Sequence, residues 1–356
     1  MAGSGGSVAR GGSGLGGSGG SMGGAGVIAG AGGTDAGAGG AEAGAGGGTE
    51  PVGRRWRNSL EAFCFKRALH DTLRVWSDAI GVYLAAGGGI YGNTGSGWSL
   101  LTDSGNPLGG GITGFVNGPL VRYGGTTERC GIEFLDRQGV SSCSAAAYSD
   151  VSHVHVVGSQ LAFAGAGRRI YSFDGAMWHL RDGQLPAADF APISRLWADS
   201  ETLLIAASDG VYLARDGAPL TAQMLPAASS NAFTAVWGSS AEDAWAGNAD
   251  GQLFRLQEDT WSLAYQAPGE ASCAGIRAIW GTPNDVFVVS ASAFFRIKDG
   301  VVTTIASHAC GEDINQFVDV WGNSANEVFV ARRAPTTPKC GSVRIDWFDG
   351  SELNAL

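Results

Sequence analysis

The chain repeats itself, and a repeat period limits the fold more than any other feature of a sequence. The clearest copies are FTAVWGSSAEDAWAGNADGQLFRL from Phe233, IRAIWGTPNDVFVVSASAFFRIKDG from Ile276 and FVDVWGNSANEVFVARR from Phe317. Each reads as an apolar strand closing on Trp, a small turn, and a second alternating strand. The anchors Trp237, Trp280 and Trp321 are 43 and 41 residues apart, and a step of 40 upstream reaches Trp197. Further steps of about this length put Val156 and Val116 in the Trp slot of two weaker copies, HVHVVGSQLAFAGAGRRIYSFDG and ITGFVNGPLVRYGG. They end at Trp76 in LRVWSDAIGVYLAAGGGIYG, which makes seven units.

Each unit has room for four short strands, for example FTAVW, DAWAG, QLFRL and TWSLAY, joined by turns rich in Ser, Asn, Asp and Gly. A four-stranded unit of this length is a propeller blade. One blade exposes apolar residues on both faces. Stacking it between two neighbours buries both, and closing the ring leaves no end blade bare. The predicted fold is therefore all-β, a seven-bladed β-propeller of four-stranded antiparallel blades, with the Trp anchors as packing between blades.

The repeat starts only after a segment of different composition. Residues 1–50 hold 23 of the 59 glycines and none of the 11 tryptophans. Such a stretch has too little apolar surface to offset the entropy of ordering it. The expected organisation is a disordered Gly/Ser/Ala-rich tether over 1–52 and the propeller over 53–356. Met1 opens directly into Gly and Ser, so an export signal is expected upstream of this chain.

Ring closure allows two arrangements. Fourth strands begin with Trp and a Leu two residues on, at Trp98, Trp178 and Trp261. Trp56 to Leu60 fits that pattern and is read as the last blade's fourth strand, supplied from the N-terminal side. Leu353 to Leu356 competes for the same place. The cysteines favour the first choice. Cys64, Cys143, Cys273 and Cys310 fall in connections from a fourth strand to the next first strand, and Cys130 and Cys340 between second and third strands. Both kinds of connection lie on one face of the disc. No C-x-x-C pair is present, and an even count in an apparently exported chain favours disulfides. The register predicts Cys130–Cys143, Cys273–Cys310 and Cys64–Cys340. The last would lock the seam across a very long loop, stabilising by about 2–4 kcal/mol.

Charge excludes some functions. The net charge is −10, with 23 scattered Lys and Arg. That argues against nucleic acid and against anionic membrane surfaces. No run of about 18 apolar residues predicts a transmembrane segment.

No catalytic constellation stands out. The five histidines lie apart from any G-x-S-x-G elbow, and no H-E-x-x-H, Walker or EF-hand loop occurs. His153 and His155 share one face of an inner strand, a spacing that could hold a metal. His155 is nevertheless read as core, in the slot of Val75, Leu196, Val236, Ile279 and Val320. Asp78, Glu201, Asp243, Asp285 and Glu327 recur after the anchors. Turn stabilisation accounts for them better than a calcium or glycosidase row. No metal and no cofactor is called for. The candidate ligand-binding residues are Arg74, His153, Arg195, Arg277 and Asp319, at the channel end of the inner strands, where an Arg cluster could accept an anion or a carboxylated sugar.

The run V-W-G-S-S-x-x-D-x-W at Val236 to Trp245, echoed at Ile279 and Val320, resembles repeat proteins abundant in myxobacteria and similar soil bacteria. Those are secreted or lipid-anchored propellers behind Gly/Ser-rich tethers, distantly similar to Asp-box and photosystem-assembly-factor propellers. The likeness covers residues 54–356. It implies a location and a fold, with no catalytic residues to carry over, since the S-x-D-x-G-x-T-W box is missing. The expectation is an exported binding or scaffolding module for an unidentified protein or glycan, acting as a monomer outside the cytoplasm. A glycosidase or lyase with an axial site, and a purely structural envelope component, are the alternatives.

Overall fold

The computed structural model describes residues 73–355, apart from 104–109, 125–129, 146–150, 168, 182–191, 227, 229–231, 270, 311–315 and 338–339. The proposed tether 1–52, Trp56 to Leu60 and Cys64 lie outside them.

Seven four-stranded antiparallel sheets follow one another along the chain. Blade 1 runs from Arg74 to Asp103, blade 2 from Gly111 to Ala145, and blade 3 from Val151 to Leu180. Blade 4 runs from Ile193 to Ala222, blade 5 from Phe233 to Gln266, blade 6 from Ile276 to Ser307, and blade 7 from Phe317 to Ala355. First strands of successive blades pack side by side, and that of blade 7 packs on that of blade 1. The ring is closed, and the seven-bladed expectation holds.

Closure uses the other terminus from the one expected. Leu353–Ala355 pairs with the third strand of blade 7 and fills its fourth place. Blade 7 is thus built from consecutive chain, and the assignment of that place to Trp56–Leu60 is corrected. The short Leu-Asn-Ala strand follows a turn in which Asp349 Oδ1 accepts the Ser351 and Glu352 amides. A three-residue strand without a Trp is a weaker pattern in the sequence than Trp56–Leu60. Polar bonds join the seam instead: Trp321 Nε1 donates to Ser77 O at 3.2 Å and Ser77 Oγ to Asn323 Oδ1 at 3.0 Å.

The blade interface has a simple rule. Four Trp anchors lie on the glycine that follows the anchor of the next blade, where a side chain would collide with the ring, and at the seam Trp321 meets Ser77 instead. Cβ atoms built at Gly114, Gly238, Gly281 and Gly322 would come within 2.6–3.1 Å of Trp76, Trp197, Trp237 and Trp280 respectively. Trp is the largest apolar payload available, and burying such side chains supplies roughly 1.5–3 kcal/mol each.

That rule corrects two anchors. Trp76 lies on Gly114, so the blade 2 anchor is Thr113, paired with Val121 as Trp76 is with Tyr83. In blade 3, His155 pairs with Phe163 just as Trp280 pairs with Phe287. Val116 is in a turn and 48% exposed. Val156 sits one residue past its anchor. Loops of unequal length had carried a constant step past both slots.

Cys130 and Cys143 are bonded, as are Cys273 and Cys310, with Cα atoms 5.7 Å apart in each pair. Both pairings match expectation. Cys143 sits within the fourth strand of blade 2 rather than after it. The Cys64–Cys340 bond lies outside the described residues.

Candidate functional site

Antiparallel order puts the beginnings of the first strands on the same face as these disulfides. At this end a bulge recurs. The pairing of first and second strand shifts between Ile193 and Arg195, Phe233 and Ala235, Ile276 and Ala278, and Phe317 and Asp319. The skipped residue leaves the ladder, and the next one, two before the anchor, aims at the axis.

The axial wall is therefore layered. The residues just before the anchors form a ring of seven aliphatic side chains: Val75, Ile112, Val154, Leu196, Val236, Ile279 and Val320. Above it, towards the disulfide face, four of the five expected residues come together: Arg74, His153, Arg195 and Asp319. They line a cavity of about 50 Å³. Arg277 is not among them. It is the bulged residue of blade 6, and its guanidinium donates to Gln316 Oε1 at 2.9 Å and Phe317 O at 3.3 Å.

An ion pair crosses the axis. Arg195 Nη2 of blade 4 lies 2.5 Å from Asp319 Oδ1 of blade 7. The other oxygen, Oδ2, accepts Val75 N–H of blade 1 at 3.0 Å. Asp319 is 3% exposed, and both of its oxygens are engaged. One carboxylate thus ties blade 7 to its neighbour at the seam and to the far side of the ring.

A second polar chain uses a residue that the sequence reading missed. Tyr123 ends the second strand of blade 2, opposite Gly111. A Cβ at Gly111 would sit 1.9 Å from the Tyr123 ring. The missing side chain lets the phenol lie across its own first strand and reach the axis. Tyr123 Oη is 3.2 Å from His153 Nδ1 and is hydrogen-bonded to Arg74. His153 also bonds the Leu196 backbone. The pattern closes if Arg74 donates to the phenol oxygen, the phenol donates to Nδ1, and the other imidazole nitrogen donates to the blade 4 carbonyl. A glycine two places before an anchor, facing an aromatic on the next strand, was the available signal.

Electrostatics follow from burial. Desolvation, then the charges of Arg195 and Arg74, hold the His153 imidazole well below its ordinary value, so it is neutral. Burial brings His155 down to about 4. Burial and the Arg195 charge lower Arg74, and burial raises the Tyr123 phenol. With two guanidinium groups, one carboxylate and neutral imidazoles, the cluster carries one net positive charge beside an apolar ring.

The carboxylates that follow the anchors do other work. Asp78 accepts the Ile80 and Gly81 amides with Oδ1 and pairs with Arg137 at 2.7 Å through Oδ2. Asp243 pairs with Arg255 and Asp285 with Arg296. These arginines cover the Tyr83, Trp245 and Phe287 rings. Of the row, Asp78 bonds the backbone of its turn as the turn reading expected, whereas Asp243 and Asp285 hold arginines over aromatics. In blade 4 the cap is Asp199, not Glu201. Among the described residues, no group of three His, Cys, Asp or Glu side chains is placed to hold a metal ion.

Fold and site together define a seven-bladed β-propeller with a polar axial cluster on its disulfide-bearing face. No family model and no curated protein matches the chain. Solved structures share the ring. PorZ, a surface component of the type-IX secretion system of Porphyromonas gingivalis, aligns with a TM-score of 0.54 at 17% identity. That alignment covers 81% of this chain and 38% of PorZ, so the chain spans well under half of that protein. YCF48, solved with D1 peptide, gives 0.55 at 14% identity over 79% of this chain and 94% of that one. The extracellular domain of the hybrid two-component system BT3049 from B. thetaiotaomicron gives 0.56 at 12%, over 78% and 40%. At such identities the likeness is one of fold.

Proposed function

We propose that this chain is an exported binding module whose axial cluster receives a carboxylate from a protein or glycan partner. One observation carries the reading. Arg74 and Arg195 converge on an axial cavity whose one carboxylate among the described residues, Asp319, is already spent on Arg195 and the Val75 amide. Guanidinium groups in such surroundings recognise carboxylates by directed, charge-assisted bonds.

A cavity of about 50 Å³ is far smaller than the sites that engulf a drug-sized ligand. The partner therefore presents an acidic side chain or a uronate carboxylate from above, and the rim loops contact the rest. Two disulfides support an oxidising compartment, outside the cytoplasm. The V-W-G-S-S-x-x-D-x-W repeats, like those of secreted or lipid-anchored propellers, support the same placement.

The test is an array of acidic glycans and acidic peptides probed with the full chain, each printed beside its amidated or esterified form. The reading expects retention of carboxylated probes and loss on neutralisation. Equal retention of both forms overturns it.

A further inference from the structure

The axial cluster is out of charge balance even with no partner present. Among the described residues, Arg74 has no carboxylate within ion-pair distance. Its guanidinium donates to Leu73 O at 2.9 Å and is hydrogen-bonded to the neutral Tyr123 phenol. Asp319, the one carboxylate of the cavity wall, has both oxygens in use. His153 cannot supply negative charge, and its ring bonds are taken by Tyr123 and the Leu196 backbone. A half-buried charge without a paired counter-charge favours the uptake of one. Arg74 is half-buried, at the edge of the seven aliphatic side chains.

We infer that the axial cavity holds one small monovalent anion, a halide or a lone carboxylate, bound by Arg74 beside the Arg195–Asp319 bridge. Size supports this. A cavity of about 50 Å³ has room for a few water-sized particles, enough to seat one halide or formate. Charge sets the valence: one anion neutralises two guanidinium groups and one carboxylate. The inference deepens the binding reading and rests on the same site, since the resident anion would occupy the seat that a partner's carboxylate takes.

The experiment needs no partner, so it fails separately from the array. Thermal unfolding of the full chain is followed in sodium chloride, sodium formate and sodium isethionate at equal ionic strength. Isethionate carries neither a halide nor a carboxylate. The expected result is a saturable rise of about 2–5 °C in chloride or formate over isethionate. Arg74→Met removes the rise, and Arg277→Met keeps it. A shift in chloride alone assigns a resident halide, and a shift in formate as well assigns a general carboxylate seat. Bromide-soaked crystals of the unaltered chain give a readout that does not depend on the variant folding: an anomalous peak within hydrogen-bonding distance of Arg74. Coincident melting curves in all three salts, or a bromide-free axial cavity, overturn the inference.

Discussion

Blades 4 to 6 and blades 2 to 3 solve the same packing problem with different volumes. In blades 4, 5 and 6 a Trp lies on a glycine of the next blade. In blade 2 the anchor is Thr113, and the residue past the next anchor is Val156. In blade 3 the anchor is His155, and its counterpart in blade 4 is Ala198. A smaller anchor faces a larger partner, so the interface stays filled while its chemistry changes. The polar cluster draws its imidazole and phenol from these two blades. His153 sits two residues before the His155 anchor, and Tyr123 reaches the axis over Gly111. Departures from the repeat supplied the imidazole and the phenol, while Arg74, Arg195 and Asp319 come from the Trp-anchored blades 1, 4 and 7.

The largest effects should separate the two regions. Trp237→Ala leaves a cavity between blades and should cost about 3–5 kcal/mol in urea unfolding. His155→Ala should cost less than half of that, and equal losses would break the comparison. Asp319→Ala strands Arg195 and frees the Val75 amide, so it should cost about 3 kcal/mol, while Arg277→Ala should cost under about 1 kcal/mol by the same measurement.

Acid should act on the polar region next. The folded chain keeps His155 neutral down to about pH 4, mainly through burial. The unfolded chain takes up that proton near pH 6.5. Below 6.5 the unfolded state therefore binds more protons, and stability falls as pH drops towards 4. His155 alone should account for up to about 2 kcal/mol between pH 7 and 5, and His153 acts in the same direction. Chemical denaturation of His155→Phe should show a shallower slope over that interval. An unchanged slope would remove His155 from the account. The smallest effect tests the volume rule. Gly238→Ala places a Cβ 2.8 Å from the Trp197 ring and should destabilise by about 1–2 kcal/mol. Val156→Ala removes volume from the looser interface and should cost about 1 kcal/mol or less.

Much of this was legible in the chain. The period and the Trp slots sufficed for seven blades, because interblade packing repeats in sequence whatever the loops do. Cys130–Cys143 and Cys273–Cys310 followed from register alone. Thr113 and His155 were misplaced because counting residues cannot see a loop that shortens or lengthens. Arg277 was grouped with Arg74 and Arg195 because a bulge moves a side chain by one residue and leaves no mark in composition. Tyr123 was missed because its route to the axis depends on what Gly111 lacks. The closing strand went to Trp56–Leu60 because pattern strength was weighed above chain continuity.

Binding by paired arginine variants tests the axial site most directly. A carboxylated probe retained by the unaltered chain is titrated against Arg74→Ala and Arg277→Ala. Losing one charge-assisted bond costs about 1.5–3 kcal/mol, so Arg74→Ala should weaken binding by at least about tenfold. Arg277→Ala, whose side chain is turned away by the bulge, should bind within about twofold of the unaltered chain. Equal weakening by both, or by Arg277→Ala alone, would contradict the axial site.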